Sequence, residues 1–259
     1  KMKKVSTNSK IADVFDGLGS FYMLSLQIFK TMFSGQIHIR NTMQQLSFVG
    51  TDSLPIVLLT GLSIGMVFSL QVTGLLQRYG ANSVVGAAVS VSIVRELAPL
   101  FTGVVVAGRI GAAITAELGS MKVTEQINAL TAMAVSPLRY LAVPRVLSCM
   151  IMVPLLNVMS IVIGVFGGMI IAVYVKGIIF GQFMDSIRDF LTPADLFKSM
   201  LKACIFGMIV SLVSCYKGIN TGEGAQGVGI STTGAVVISL ISIFISNYVL
   251  STILFASKM

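Results

Sequence analysis

Three stretches of this chain, Ser53 to Gln77, Val146 to Val175 and Gly224 to Ser257, contain no charged residue at all. Each exceeds the roughly 20 apolar residues that carry a helix across a bilayer. In water such runs would have to be buried on every side, and the rest of the chain cannot cover them. Only 11% of the 259 residues are charged, against about 25% in a soluble domain, and mean hydropathy is +0.91. The chain is therefore read as an integral membrane protein.

The net charge of +8 does not point to nucleic acid, because the basic residues flank apolar runs and form no arginine stripe with interleaved aromatics. Cys149, Cys204 and Cys215 sit inside apolar runs, where a thiol behaves as a small hydrophobe. Their spacing suits neither a metal nor a disulfide framework. The KMKKVSTNSK start lacks the apolar segment of a secretory signal.

In order, residues 11 to 30 place Ile11, Val14, Phe15, Leu18, Phe21, Tyr22 and Phe29 on one helical stripe, which predicts a helix lying in the membrane interface. His38, the single histidine, is expected to be solvated. The first span is Ser53 to Gln77, with Asp52 and Ser53 as caps and Pro55 in its first turn. Tyr79 to Ala116 is too long for one straight crossing. It either extends past the bilayer or breaks near Pro99, whose ring removes the hydrogen bond to the carbonyl of Arg95. Glu117 to Arg145 is a polar interlude, with Val123, Ile127, Leu130 and Met133 or Ala134 as a short amphipathic stripe. The third span is Val146 to Val175. The fourth is Pro193 to Tyr216, with Thr192 as its N-cap and Pro193 as its first residue. A flexible Gly-rich loop, Lys217 to Gly229, precedes the fifth span from about Thr232 to Ala256.

Five spans put the termini on opposite sides. An N-terminus inside gives ten basic residues in the cytoplasmic segments against five outside, so the positive-inside rule places the N-terminus and the Glu117 to Arg145 loop in the cytoplasm and the C-terminus in the periplasm.

Two nucleotide-site lookalikes fail. GVVVAGRI at 103–110 has Arg109 and Ile110 where a P-loop needs Lys and a hydroxyl. Gly222, Gly224 and Gly227 match G-x-G-x-x-G without a surrounding βαβ unit. No cofactor is expected on this chain, so ATP and Mg²⁺ would belong to a separate subunit. Charges inside the spans are the sharper signal, since each costs about 2.5–3.5 kcal/mol at the bilayer centre. Arg95 and Glu96 point about 100° apart on a helix, and Lys202 is the candidate partner of Glu96. Together they suggest a polar patch in a substrate cavity, or else an ion pair that ties two helices. Gly103, Ala107 and Gly111, beside Gly108, Ala112 and Ala116, recur at the four-residue spacing of close helix packing. Arg109 could pair with Glu117 or reach lipid phosphate.

The run RELAPLFTGVVVAGRIGAAITAELGSMKVTEQINALTAMAVSPLRYLAVPR resembles the signature of the MlaE family, permease subunits of ABC transporters that work with MCE proteins on lipids. YKGINTGEGAQGVGISTTGAVVISLISIFISNY resembles the family's C-terminal segment. Gln226 and Asn247 depart from it, standing where members often carry acids. The resemblance implies an all-α integral membrane protein: an interfacial amphipathic helix within residues 1–48, then a transmembrane domain over 49–259 with five transmembrane helices. It also implies a cytoplasmic coupling helix between the second and third spans. Glu117, Lys122, Glu125, Gln126, Ile127 and Leu130 would meet the ATPase there, and Arg95, Glu96 and Lys202 would line a lipid cavity near a dimer axis. The implied partners are two ABC ATPase subunits, an MCE-domain protein, a small regulatory subunit, a second copy of the chain and a phospholipid substrate. The implied location is the bacterial inner membrane, with the chloroplast inner envelope as the alternative. From another class, a self-contained channel or secondary transporter could use Arg95, Glu96 and Lys202 as an ion relay. A lipid-modifying enzyme fits less well, for want of a nucleophile paired with a base.

Overall fold

The computed structural model describes residues 7–33 and 39–255. His38 lies outside them. Among the described residues all regular structure is helical. We number the helices α1 (Thr7–Phe33), α2 (Ile39–Gly50), α3 (Leu54–Arg78), α4 (Asn82–Val123), α5 (Gln126–Ala132), α6 (Leu138–Val175), α7 (Phe180–Phe190), α8 (Pro193–Ile219) and α9 (Gly224–Phe255). Five runs are long and apolar enough to cross a bilayer: α2 with α3, then α4, α6, α8 and α9. The polypeptide is an all-α integral membrane protein.

Two expectations resolve in one direction. The long second apolar run does not break at Pro99: α4 is continuous over 42 residues, about 63 Å at ~1.5 Å per residue, so it extends well beyond a bilayer core of about 30 Å. The Gly-rich loop is a correction. Only Asn220 to Glu223 lies between helices, because α9 starts at Gly224, which has φ +70°, and its first turn packs on the chain before it. A Cβ on Gly227 would lie 2.5 Å from the carbonyl oxygen of Gly222. α2 runs through the expected boundary at residue 48.

Within lipid, apolar burial gives little drive for helix association, so van der Waals contact between closely approaching backbones has to supply it. The chain does this with glycine. A Cβ on Gly65 of α3 would stand 2.0 Å from the carbonyl oxygen of Gly164 in α6, and one on Gly61 would stand 2.8 Å from the Ser160 hydroxyl. Ser69 donates to the Gly168 carbonyl at 2.7 Å across the same crossing. The small stripe of α4 faces α8: Gly103 abuts Phe206, and Gly111 abuts Val210 and Ser214. Gly207 of α8 approaches the Cys149 carbonyl of α6 in the same way. The apolar core joins these helices through Ile110, Ile114, Val146, Cys149, Val153, Phe206 and Val210. A second cluster, around Val85, Val89, Ile161 and Phe183, seats the amphipathic α7 on the start of α4, where the Ser186 hydroxyl accepts from the Ala87 N–H at 2.8 Å.

The α1 helix lies alongside the bundle. Phe21 meets Tyr216 edge to face at 5.5 Å, and the Tyr216 hydroxyl donates to the Gly17 carbonyl. Ile28 is buried, whereas Tyr22, Met23 and Leu26 stay exposed on the outer side, which suits a helix against lipid.

Substitution separates the glycines required at the α3–α6 crossing from a tolerated one in α1. Gly65→Leu is expected to abolish recovery of monodisperse protein, since the obstacle is backbone. Gly19→Ala, with open space at the Cβ position in a helix interior, should stabilise by about 0.5–1 kcal/mol. Thermal unfolding of the detergent-solubilised protein checks both.

Candidate functional site

The site grows out of Pro99. Having no N–H, Pro99 leaves the Arg95 carbonyl without its helical partner. The Ala98 N–H bonds instead to the Ile93 carbonyl, five residues back, so that Ile93–Leu97 forms one widened π-helical turn. Such single wide turns inside α-helices concentrate at functional positions. The released carbonyl accepts a hydrogen bond from Lys202 Nζ of α8 at 3.0 Å. The same ammonium donates to Glu96 Oε2 at 2.9 Å and to the Ser251 hydroxyl of α9 at 2.8 Å. All three of its protons are thereby placed, and its side chain is 0% exposed. The pairing of Lys202 with Glu96 expected from the sequence is present.

Glu96 has further donors. Asn247 Nδ2 lies 3.3 Å from Oε2, and the Ser251 hydroxyl lies 3.0 Å from it and 2.7 Å from the Asn247 carbonyl, one proton serving both acceptors. Asn247 is thus in direct contact with Glu96. An amide can donate to Glu96, whereas a carboxylate there would add a like charge.

Arg95 turns the other way, toward the first turn of α8. Its Nη2 donates to Asp195 Oδ2 at 3.2 Å, and Nε lies 3.1 Å from Oδ1 at an angle that makes the contact Coulombic rather than a hydrogen bond. Asp195 is in place because it closes a capping box: Thr192 is the N-cap, Pro193 follows, and Asp195 Oδ2 accepts from both the Thr192 N–H and its hydroxyl. The predicted N-cap therefore also fixes the counter-ion of Arg95. Lys202 and Asp195 are sealed inside, while the side chains of Arg95 and Glu96 remain 29% and 39% exposed. Lys202 thus stands behind Glu96, and the two residues of the Arg95–Glu96 pair are the ones that open outward. The Phe255 ring lies over this cluster, 5.2 Å from the Arg95 guanidinium and 5.6 Å from Lys202 Nζ.

Toward the other end of α4, a second widened turn, Ala107–Gly111, carries Arg109. The expected pairing with Glu117 is not made. Arg109 donates to the Ser53 hydroxyl at 2.8 Å, lies 3.4 Å from Asp52 and sits over Phe48. Asp52 and Ser53 consequently do not cap α3, whose N-cap makes no side-chain hydrogen bond. Glu117 instead meets Arg145 at 2.8 Å, and Arg145, expected in a loop, is buried at the start of α6 with a further bond to the Leu141 carbonyl.

Of the residues expected to meet an ATPase, Glu117 is thus engaged by Arg145, Ile127 is buried and Leu130 is partly buried against the core. Lys122 is half-buried, while Glu125 and Gln126 are exposed. The helix they introduce, α5, is bracketed by two non-glycine residues in the left-handed region, Glu125 at φ 60° and Ala134 at φ 59°. Glu125 also accepts a hydrogen bond from the Asn128 side chain. Both ends of α5 therefore carry backbone strain, of order 1–2 kcal/mol per residue.

Residue-by-residue reading of the sequence did not single out Asp195, Ser251 or Phe255. The T-P-A-D capping signature was visible for Asp195. Ser251 and Phe255 gave no signal, because their roles depend on where α9 crosses α8.

Breaking the central pair should be costly. Lys202→Met leaves Glu96 and the Arg95 carbonyl without their buried donor, so the expected loss is about 3–5 kcal/mol. Lys202→Met with Glu96→Gln should recover part of it. Unfolding midpoints of the two single variants and the double variant measure that coupling.

Comparison with known proteins then identifies this architecture. The model of the family described as "Permease MlaE" matches residues 42–253. A probable ABC transporter permease of Synechocystis sp. is 42% identical over 93% of this chain and 92% of its own length. A probable ABC transporter permease of Rickettsia conorii is 38% identical over 96% of both. The chloroplastic protein trigalactosyldiacylglycerol 1 of Arabidopsis thaliana is 41% identical over 88% of this chain and 65% of its own. By these matches the chain belongs to the MlaE permease family and is a permease subunit of an ABC transporter.

Proposed function

We propose that the chain moves phospholipids between membranes as the membrane-spanning half of an ATP-driven transporter. Two copies would form a homodimer, each bound by an ATPase that carries the ATP and Mg²⁺. An MCE-domain protein would receive or deliver lipid on the far side, and a small regulatory subunit is accommodated by the same arrangement. The membrane is a bacterial inner membrane or its plastid counterpart, with the N-terminus cytoplasmic and the C-terminus periplasmic, as the distribution of Lys and Arg favours.

One observation carries this reading. Arg95 and Glu96 stay part-exposed inside a membrane-spanning helix of a bundle that leaves many large apolar side chains exposed. Facing acyl chains there would cost several kcal/mol. Enclosure in a polar cavity between two copies removes that cost and places a cation and an anion beside any headgroup that enters. The name of the Arabidopsis relative, which is that of a galactolipid, supports a lipid cargo.

Force reaches the cavity through α5. A nucleotide-dependent shift of the ATPase would push the exposed side of α5, and the buried Ile127 would transmit the motion to the bundle. α4 then carries it along its length to the Arg95–Glu96 turn.

Glu125→Lys reverses the charge of an exposed residue at the entrance to α5. ATPase co-purifying with the permease is expected to fall at least about tenfold, as for a lost interfacial charge pair, while the permease itself stays folded and dimeric. Full retention of ATPase, together with undiminished lipid transport in proteoliposomes, would reject α5 as the docking element. Ion flux through the permease alone would favour a self-contained channel instead.

A further inference from the structure

Three cations surround one aromatic ring in this protein. Arg95, Lys198 and Lys202 approach the Phe255 centroid to 5.2, 5.2 and 5.6 Å. Their partners differ in kind. Arg95 has Asp195, and Lys202 has Glu96. Lys198 Nζ donates to the Leu254 carbonyl at 2.6 Å, a neutral acceptor, and among the described residues no carboxylate lies within ion-pair reach of it. Three cations and two carboxylates leave the cluster with one uncompensated positive charge, and geometry assigns that charge to Lys198.

Its depth is informative. Lys198 lies five residues beyond Pro193, the first residue of α8, about 7.5 Å along the helix, and Lys202 lies about 6 Å deeper at ~1.5 Å per residue. Lys198 therefore sits near the end of the span, where headgroups meet acyl chains, close to the Arg95–Asp195 pair at the first turn, while the Lys202–Glu96 pair lies further in. An anion approaching from that end meets Arg95, already paired with Asp195, and Lys198, which has no carboxylate partner among the described residues. An anionic oxygen adds a Coulombic attraction that a neutral carbonyl cannot offer the ammonium, so it would displace Leu254 from Lys198.

The Phe255 ring stands in the way. It belongs to the last described turn of α9, a helix with almost no fully buried side chain along this half and with Tyr248 and Ile253 exposed. The turn is held to α8 by the Lys198–Leu254 and Lys202–Ser251 bonds.

We propose that Lys198 is the phosphate-recognition residue for an anionic lipid headgroup and that Phe255 is the door of that subsite. The ring occupies the space among the three cations when no headgroup is present. A phosphate diester, carrying the single negative charge the cluster lacks, takes its place at Lys198, with the Arg95 guanidinium as second donor. The Lys198–Leu254 bond opens, and the last turn of α9 swings away with Phe255. The inference rests on the reading of the chain as a phospholipid permease and adds to it the residues that select headgroup charge.

The test uses the purified permease–ATPase complex reconstituted in phosphatidylcholine vesicles containing phosphatidylglycerol, with bound lipid quantified by mass spectrometry after re-extraction. Lys198→Gln should lower retained phosphatidylglycerol about tenfold, the factor that one charge-assisted hydrogen bond supplies. Lys198→Arg, which keeps the charge, should restore most of it and shows that the fold is intact. Phe255→Ala should raise retention above the parent. Equal retention by Lys198→Gln and the parent would overturn the assignment of Lys198. A fall with Phe255→Ala as large as that with Lys198→Gln would overturn the door, since the ring would then be packing only. Millimolar inorganic phosphate should leave the lipid in place, because acyl chains add to its binding; displacement would assign the site to a free anion and reject the headgroup. A parent complex that retains no phospholipid at all would instead count against the transport reading itself.

Discussion

The hydrogen bond that Pro99 cannot make is the constraint around which the interior is arranged. A free carbonyl inside a membrane span is costly unless a donor reaches it, and here the donor is the Lys202 ammonium. A lysine brought to that depth in turn needs an anion, which Glu96 supplies from the adjacent position on the same turn. Its third proton ties down Ser251 of α9. One missing N–H thus joins α4, α8 and α9 at a single point, and the wide turn that accommodates Pro99 aims Arg95 toward α8 and its N-cap. The polar cluster is in this sense a consequence of backbone chemistry as well as a place where a ligand can bind.

The remaining framework keeps that point rigid while leaving its outer side open. Glycines at the α3–α6 and α4–α8 crossings bring backbones into contact where apolar burial alone would not hold helices together in lipid. The Asp195 capping box fixes the start of α8, so the Arg95 counter-ion moves with the helix end. By contrast α9 is loosely covered, with exposed side chains along much of its length. A bundle with four tightly crossed helices and one less enclosed helix beside its charged cluster has a natural moving part. The two left-handed residues bracketing α5 place a second deformable element at the opposite end of α4. The charged cluster and α5 are then linked by one continuous 42-residue helix.

Much of this was legible in the sequence because it follows from local rules. Long apolar runs, three of them charge-free, mark the five spans, Thr192 and Pro193 mark the start of α8, and the cost of intramembrane charge singles out Arg95, Glu96 and Lys202. Pro99 even identified the carbonyl that would be left over. What stayed hidden depends on which helices cross. Nearness in sequence offers Arg109 either Glu117 or a lipid phosphate, but the turn before α3 brings Asp52 and Ser53 to it, and Arg145 claims Glu117. Glycines at 222, 224, 227 and 229 suggest a flexible loop where α9 in fact begins. In the fold they allow the Gly222 and Gly227 backbones to touch. Phe255 and Ser251 look like ordinary apolar-span residues until α9 is laid across α8.

The central claim is that the outward-facing side of the Arg95–Glu96 turn borders a lipid-filled space between two copies of the chain. An electron cryomicroscopy structure of the complete transporter in lipid nanodiscs, at a resolution that separates headgroups from side chains, tests it most directly. The account predicts headgroup density near the two-fold axis within hydrogen-bond distance of Arg95 or Glu96. Two copies packed in dry contact over that turn, with no space between them and lipid only around the outside, would contradict it.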